Sequence, residues 1–138
     1  MITGIAHAAF RVENLDASIE FYTNILGLKE AFRLVHDDGE PWLVYLQINA
    51  NTFIELFPNG TQKMPVTRES IGFAHLCLHV DDMPATLAEL RRRGLPCPGE
   101  ATMGKDGNWQ YWIEDPDGNP IELMQIMVDS LQVKNSKF

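Results

Sequence analysis

The pattern of apolar and polar positions in the first half of the chain predicts a strand followed by a helix. Residues 5–12 are apolar at most positions, which is typical of a buried strand. Beyond them, Leu15, Ile19, Tyr22 and Leu26 recur at helical spacing. The pattern therefore predicts an amphipathic helix that packs one face against the strand.

The ends of this helix carry signals of their own. Asn14 or Asp16 can accept hydrogen bonds from the first turn, and Gly27 can adopt the left-handed conformation that ends a helix. Turn-forming residues then separate three short apolar stretches. Further strands are predicted at residues 30–35, 42–48 and 52–57.

The second half of the chain repeats this order. Residues 73–80 predict a strand, Asp81 or Asp82 with Pro84 predicts the start of a helix, and Gly94 predicts its end. The remaining strands are predicted at residues 101–103, 109–114 and 120–126. The predicted fold class is therefore α+β, with two βαβββ modules in tandem.

An internal repeat relates the two modules. His7 matches His75 at an offset of 68 residues, and Glu55 matches Glu122 at an offset of 67. Two amphipathic helices with similar caps would also look alike. That likeness would not place a His and a Glu at nearly the same offset in both halves. We therefore interpret the chain as two copies of one unit.

Length and composition are those of a single globular domain. The chain has 138 residues, of which 45% are hydrophobic and 22% are charged, close to globular averages. The modules cover about residues 1–60 and 70–126, so the predicted domain spans residues 1–126. The polar, unpatterned residues 127–138 predict a C-terminal tail.

Charge and hydropathy exclude several classes of function. A net charge of −8 argues against nucleic-acid binding, which needs a basic face. No uncharged apolar run reaches the roughly 18 residues of a membrane span. Residues 1–10 lack the basic start of a signal peptide, and Cys77 and Cys97 alone form no disulfide framework. We therefore expect a cytoplasmic protein that binds neither nucleic acid nor a membrane.

Each module offers a His and a Glu in an apolar setting. Alternation places Phe53 and Phe57 on the face of Glu55, and Met124 on the face of Glu122. A carboxylate among such neighbours is costly to bury without a partner. If the modules pack with pseudo-twofold symmetry, the two His and two Glu can converge on one metal ion. The predicted metal ligands are His7, Glu55, His75 and Glu122.

Two imidazoles and two carboxylates suit Ni²⁺, Co²⁺, Zn²⁺, Mn²⁺ or Fe²⁺. A single His in a strand is more often structural, so the prediction rests on the repeat-matched set. Cys77 lies one pleat step from His75, and we expect it and His79 to be packed side chains. His36, beside a turn, is expected to be solvated.

Five segments of the sequence resemble one known superfamily. They are HAAFRV at 7–12, SIEFY through LGL at 18–28, IEL at 54–56, HLCLHV at 75–80, and EDPDG leading to IEL at 114–123. In these motifs the chain resembles the vicinal oxygen chelate superfamily, and within it glyoxalase I of the short bacterial type. The resemblance extends over about residues 5–125.

This resemblance implies a cupped mixed sheet around the metal and a homodimer with active sites at the subunit interface. It implies the four metal ligands named above, with nickel or cobalt favoured. The implied reaction isomerises the hemithioacetal of methylglyoxal and glutathione to S-lactoylglutathione through an enediolate. Glu122 would be the catalytic base, and Glu55 a second proton carrier.

The resemblance also implies substrate-binding residues. Arg11 and Asn59 occupy the positions that hold the γ-glutamyl end of the thiol, although a surface salt bridge and a turn would also explain them. In the family, basic residues contact the glycine carboxylate of the thiol. Lys105 lies close to such a position but is not cleanly aligned with it. The net charge of −8 opposes capture of an anionic thiol. Apolar substrate contacts are expected from Phe53, Phe57 and Met124.

Two other classes of function remain open at this point. The first is another metal enzyme of the superfamily: an epimerase, a fosfomycin-type thiol transferase or a ring-cleaving dioxygenase. The transferases and dioxygenases resemble a plan of two His and one carboxylate, and the epimerases carry Gln or His in place of Glu55, so Glu55 favours glyoxalase I. The second is a metal-free drug-binding protein, which resembles the fold but lacks the ligand set.

Overall fold

The computed structural model describes residues 1–136. The chain divides into two compact units, Met1–Met64 and a second unit that begins at Pro65. Each unit contains one βαβββ module with its own four-stranded sheet, which confirms the predicted α+β class and the two tandem modules.

The sheet of the first unit has the strand order β1-β4-β3-β2. Strand β1 runs parallel to β4, and the other neighbours are antiparallel. The elements are β1 (His7–Arg11), α1 (Leu15–Glu20), a π-helical turn (Phe21–Ile25), β2 (Lys29–Val35), β3 (Pro41–Asn49) and β4 (Thr52–Phe57).

The sheet of the second unit has the corresponding order, β5-β8-β7-β6, again with a parallel pair between its first and last strands. The elements are β5 (Leu76–His79), α2 (Met83–Arg92), β6 (Thr102–Met103), β7 (Trp109–Glu114), β8 (Pro120–Gln125) and α3 (Leu131–Asn135).

One face of each sheet forms the core of its unit. In the first unit Ile54 pairs with Leu46, Leu56 pairs with Val44, and all four side chains are almost completely buried. Because neighbouring strand residues alternate between faces, Glu55 lies on the opposite face from these residues. The β8 strand repeats the arrangement, since its buried apolar residues flank a Glu in the same way.

Both helices begin at a side-chain cap. Of the two candidates at each start, the structure selects Asn14, whose Oδ1 accepts from Ala17 N at 3.0 Å, and Asp82, whose Oδ1 accepts from Ala85 N at 2.8 Å. Each bond satisfies a backbone N–H that has no partner within the helix. These caps fix where each helix leaves the preceding strand.

The helix ends match the prediction at the glycines and differ before the first one. Gly27 and Gly94 have φ values of 82° and 94°, the left-handed conformation that glycine adopts without strain. Before Gly27, α1 passes into an unpredicted π-helical turn. Thr23 Oγ1 donates to the Ile19 carbonyl at 2.7 Å, and side-chain bonds of this kind compete with the regular helical ladder.

Strands β1 and β5 are shorter than predicted by one to three residues at each end. Strand β1 makes its ladder with β4 from His7 to Arg11, opposite Phe53 to Phe57, so its length follows the length of its partner. In the second unit β5 begins at Leu76, so His75 lies directly before the strand instead of within it. The apolar residues extend beyond the residues that pair in the sheet, so the apolar pattern overestimates the lengths of β1 and β5.

The segment predicted as a polar tail includes the short helix α3. The side chain of Asn108, fully buried, donates from Nδ2 to Gln132 Oε1 at 2.7 Å and accepts at Oδ1 from Met127 N at 2.9 Å. Polar contacts of this kind leave no hydrophobic periodicity in the sequence. The last two residues of the predicted tail, 137–138, lie outside the described residues. No helix within residues 1–136 is long and apolar enough to span a membrane.

Candidate metal centre and substrate site

The first unit brings one predicted pair of ligands together. Glu55 in β4 pairs with Ala9 in the parallel ladder, two residues beyond His7 on β1. The His7 Nε2 atom lies 3.5 Å from Glu55 Oε2. The imidazole is 41% exposed, whereas the carboxylate side chain is 10% exposed. An accessible nitrogen therefore stands beside a nearly buried oxygen.

The second unit brings the other predicted pair together in the same relation. Glu122 in β8 pairs with Cys77, two residues beyond His75. The His75 Nε2 atom lies 3.1 Å from Glu122 Oε2, and the side chains are 36% and 7% exposed. The repeat detected in the sequence is thus a repeat of local geometry.

An aromatic residue that the sequence analysis missed borders each pair. Tyr45 pairs with Glu55 across β3 and β4, and its ring meets the His7 ring edge to face at 5.7 Å. Trp112 pairs with Glu122 across β7 and β8, and its ring meets the His75 ring edge to face at 4.9 Å. The two aromatic residues are 67 apart, as the glutamates are, and this repeat-matched position was the signal that could have identified them.

The two carboxylates raise the pKa values of different neighbouring groups. A hydrogen bond to Glu55, together with burial and the negative charge of Glu55, raises the pKa of Tyr45 above its ordinary value. Although the Cys77 residue is exposed, partial desolvation of its sulfur, followed by the charge of Glu122 and a hydrogen bond to it, raises the pKa of Cys77 to about 12. Glu55 therefore disfavours ionisation of a neighbouring phenol, and Glu122 disfavours ionisation of a neighbouring thiol.

The predictions that Cys77 and His79 are packed are wrong, since both residues are exposed. They alternate along β5 with the half-buried Leu76 and Leu78, which take the inner face. Their side chains therefore belong to the face of the sheet that carries Glu122. His36 is exposed, as predicted, with its ring stacked on Trp42 at 5.4 Å.

Three of the predicted substrate residues of the first unit, Arg11, Phe57 and Asn59, lie at one end of its sheet, whereas Phe53 lies opposite His7 at the other end of β4. Arg11 donates from Nη1 to the Pro58 carbonyl at 3.0 Å, and its guanidinium carbon lies 5.2 Å from the centre of the Phe57 ring. Asn59 is exposed with a φ of 65°. Phe53 meets Tyr45 edge to face at 5.8 Å. The contacts with Pro58 and Phe57 orient the guanidinium of Arg11, which lies four residues after His7 on β1.

The two predicted substrate residues of the second unit lie on a strand and in a turn. Met124 is partly buried on β8, opposite His79 on β5 and Gln110 on β7. Lys105 is exposed in the β6–β7 turn, which Gly104 N closes by donating to the Asn108 carbonyl at 2.8 Å. The substrate roles of these residues stay predictions.

Each unit also has an open groove. The groove of the first unit, about 590 Å³, is lined by Asn59 and by the carboxylates of Glu13, Asp16 and Glu40. The groove of the second unit, about 630 Å³, is lined by Trp112, which also borders the second pair, and by Glu100, Glu114 and several prolines. Neither groove has Lys, Arg or His among its described lining residues. Both linings therefore favour neutral or cationic groups over anionic ones.

The donor chemistry of each pair fits a divalent cation. Imidazole nitrogen and carboxylate oxygen are ligands that nickel, cobalt and zinc accept. Within residues 1–136, no group of three or more His, Cys, Asp or Glu side chains is placed to hold a metal ion, so the structure supplies the ligands as two pairs. The convergence of all four on one ion stays a prediction.

Comparison with known proteins identifies relatives along nearly the whole chain. The family model of the glyoxalase/bleomycin resistance protein/dioxygenase superfamily matches residues 4–123. A probable lactoylglutathione lyase of Synechocystis sp. is 34% identical over 126 residues, which covers 88% of this chain and 94% of the relative. A 2-epi-5-epi-valiolone epimerase of Actinomyces sp. is 27% identical, covering 88% of this chain and 79% of that protein.

A solved structure agrees with the fold. The glyoxalase family protein from Enterococcus faecalis superposes with a TM-score of 0.75 at 24% identity, covering 88% of this chain and 96% of that one. Strand order, repeated pairs and the match over residues 4–123 lead to one conclusion. The chain belongs to the glyoxalase/bleomycin resistance protein/dioxygenase superfamily.

Proposed function

We propose that this chain is a metal-dependent lyase of the glyoxalase I type, which isomerises a methylglyoxal–thiol hemithioacetal to a lactoyl thioester. The observation that carries the proposal is the repeated His–Glu pair, present once in each unit with the same strand register. The relative from Synechocystis named as a probable lactoylglutathione lyase supports the same reaction.

His7, Glu55, His75 and Glu122 would hold one divalent ion, with nickel or cobalt favoured and zinc, manganese or iron as alternatives. We propose that the set is completed in a homodimer, as the resemblance implies. When bound, the ion supplies Lewis-acid polarisation of the substrate oxygens. The chain's own residues then have to orient the substrate and move one proton.

Glu122 is proposed as the group that moves this proton. Its carboxylate takes the proton from the carbon that carries sulfur and hydroxyl, and returns it to the neighbouring carbonyl carbon. The hydroxyl proton passes to the other oxygen, so the product is an isomer and no oxidant or reductant is needed. The side chain is 7% exposed, which limits the access of water to the carboxylate during the transfer.

The charged ends of the thiol are assigned to Arg11, Asn59 and Lys105, and the apolar part of the substrate to Phe53, Phe57 and Met124. Arg11 is the best supported of these, because its contacts with Pro58 and Phe57 orient the guanidinium before any ligand arrives. A fixed guanidinium binds a carboxylate with less loss of side-chain entropy than a mobile lysine does.

The deciding experiment adds Ni²⁺ or Co²⁺ to metal-free protein and measures thioester formation from methylglyoxal and glutathione by ultraviolet absorbance. We expect metal to restore activity. The variant H75A should lose metal binding and turnover, whereas H36A, which removes an exposed His outside both pairs, should retain them. A metal-loaded protein that is inert with this mixture would contradict the proposal.

The thiol can be tested through its charge. The net charge of −8 and the acidic grooves disfavour an anionic thiol such as glutathione. If glutathione is the thiol, added salt should screen this repulsion and raise kcat/KM. A neutral thiol that gives a higher, salt-independent kcat/KM would show that glutathione is not the preferred partner.

A second candidate is a metal-dependent epimerase acting on an acyl-CoA or a sugar, favoured by the similarity to the epimerase of Actinomyces. Epimerisation would use the same removal and return of a proton next to a carbonyl. Metal-dependent deuterium exchange at that carbon of an acyl-CoA or sugar, without thioester formation from methylglyoxal, would select this candidate.

A further inference from the structure

The outer strands of the two sheets differ in length. In the first unit β2 pairs with β3 along nearly all of its length. In the second unit β6 has two residues, and its ladder with β7 ends where Thr102 lies opposite Gln110. Among the described residues, no strand pairs with residues 111–114 on the side away from β8. These residues form the open edge of β7.

The open edge carries backbone groups that can pair with another strand. Asp115 N donates to Asn119 O at 3.1 Å in the register of the β7–β8 ladder. Bonded pairs in an antiparallel ladder occur at every second residue. Counting back from Asp115 by twos leaves Trp112 and Glu114 out of the bonds to β8, so their N–H and C=O groups point toward the open edge.

The residues before β6 cannot extend it along this edge. Continued in the same register, β6 would place Pro98 opposite Glu114, and a proline has no N–H to donate. Gly99 has a φ of 75°, whereas a strand residue has a negative φ. The sequence PCPG at 96–99 therefore stops β6. The matching residues of the first unit, 29–32, contain neither proline nor glycine.

Side-chain hydrogen bonds occupy the carbonyl groups of this segment. Three successive carbonyls accept from side chains: Cys97 from Arg91 Nε at 3.0 Å, Pro98 from Tyr111 Oη at 2.8 Å, and Gly99 from Arg91 Nη2 at 2.9 Å. These carbonyls are therefore bonded to side chains instead of to the backbone of β7. The groove of the second unit, about 630 Å³, is lined by both this segment and the open edge.

The chemistry of this groove favours a strand with basic side chains. Its described lining includes the carboxylates of Glu100 and Glu114 and no Lys, Arg or His. Glu114 shares a face of β7 with Trp112, whose ring is half exposed, whereas the buried Ile113 lies on the other face. A carboxylate and an aromatic ring both attract a cation. A second copy of this chain would bring further carboxylates to the same edge, so like charges oppose self-pairing.

We propose that the open edge of β7 binds an extended, lysine- or arginine-containing segment of another protein by strand addition. Trp112 and Glu114 each supply an N–H donor and a C=O acceptor to the backbone of that segment. The carboxylates of Glu100 and Glu114 attract its basic side chains. The proposal uses no metal ligand and does not depend on the proposed function.

A capped hexapeptide of alternating lysine and valine is the probe. We expect a titration followed by amide-proton NMR to shift the Trp112 and Glu114 amide protons downfield and to slow their exchange with deuterated solvent, because both become hydrogen-bonded. No change at these two amides at millimolar peptide, or changes confined to other residues, would overturn the proposal.

Two methylated forms of the peptide separate strand addition from charge attraction. An added strand bonds the open edge through the N–H groups of alternate residues only. Methylating the three lysine nitrogens and methylating the three valine nitrogens should therefore differ in effect, one abolishing binding and the other retaining it. Equal effects of the two methylations would contradict strand addition, since both forms keep the full charge.

The variant E114Q tests the location of the charge. It should weaken binding of the peptide about twofold to fivefold, as expected for an exposed ion pair. E40Q is the matched control, because it removes one carboxylate from the groove of the first unit and should keep the affinity. Equal weakening by both variants would show attraction to the net charge alone, and the proposal would be wrong.

Self-pairing is tested by diluting the protein without peptide. We expect the Trp112 and Glu114 amide protons to keep their positions. A shift that depends on protein concentration would show that a second copy occupies the open edge, which also overturns the proposal. None of these measurements uses metal or turnover, so failure here is distinct from failure of the proposed function.

Discussion

The two units of the chain share a strand order and a His–Glu pair, yet they differ in the polar groups that support them. In the first unit the carboxylate raises the pKa of a tyrosine, and the β3–β4 turn includes an exposed side-chain bond from Asn51 N to Asn49 Oδ1 at 3.1 Å. In the second unit burial and the carboxylate raise the pKa of a cysteine, and the β7–β8 turn is organised by the buried Asp115. The two copies of the repeat thus share their strand order and their candidate metal ligands. The polar groups around these ligands differ between the copies.

The largest effect is expected from the two glutamates. E122Q should lower kcat by about 10²–10⁴-fold while metal stays largely bound, because the amide cannot accept the proton. E55Q should weaken metal binding more and, at saturating metal, lower kcat less. Metal titration by calorimetry and steady-state kinetics measure the two effects. Equal losses in both variants would remove the functional difference between the units.

The next largest effect is on the free energy of unfolding when a turn residue is replaced. Asp115 accepts from Asp117 N at 3.0 Å, from Asn119 N at 2.8 Å and from Asn119 Nδ2 at 2.8 Å. D115A should lower the free energy of unfolding by about 2–3 kcal/mol, since charge-assisted bonds at a buried site are lost. N49A in the first unit should cost less than about 0.5 kcal/mol. Urea denaturation of the two variants provides the comparison, which fails if the costs are alike.

A smaller effect, of opposite sign, is expected inside α1. Ser18 is fully buried, and its Oγ has no hydrogen-bond partner among the described residues. The repeat-matched Thr86 donates to the Asp82 carbonyl at 2.7 Å. S18A should therefore raise the free energy of unfolding by about 1 kcal/mol, whereas T86V should lower it slightly. Thermal and urea unfolding measure both, and a loss of stability in S18A would show that its hydroxyl is satisfied.

The smallest effect is a pH dependence confined to α2. Hydrogen bonds from Arg92 and Arg93 lower the pKa of Glu89 to about 2 from its ordinary 4.5. A lowered carboxyl pKa contributes stability that is present above pH 4.5 and is lost as the pH falls through 2. E89Q should thus melt slightly below the unmodified chain at pH 7, with the difference shrinking between pH 4.5 and 2. A difference that is constant over this window would contradict the pKa shift.

Much of the fold could be predicted from the sequence because its signals are local. Alternation identified β4 and β7 with their observed bounds, and Gly27 and Gly94 marked the two helix ends. The π-helical turn and the docking of α3 could not be predicted, because they depend on single hydrogen bonds that produce no periodicity. The packed positions expected for Cys77 and His79 were wrong, because composition does not reveal which face of a strand is buried.

The sequence by itself determined the duplication, the α+β order of elements and the two His–Glu pairs, since a repeat and a strand register are both written in residue spacing. Only the tertiary structure decided what stands beside each pair. Tyr45 and Trp112 come from strands that the chain reaches through turns, and their contacts depend on sheet pairing between distant residues. The sequence repeat therefore shows that the two glutamates occupy matched positions. Only the fold shows that their neighbours differ.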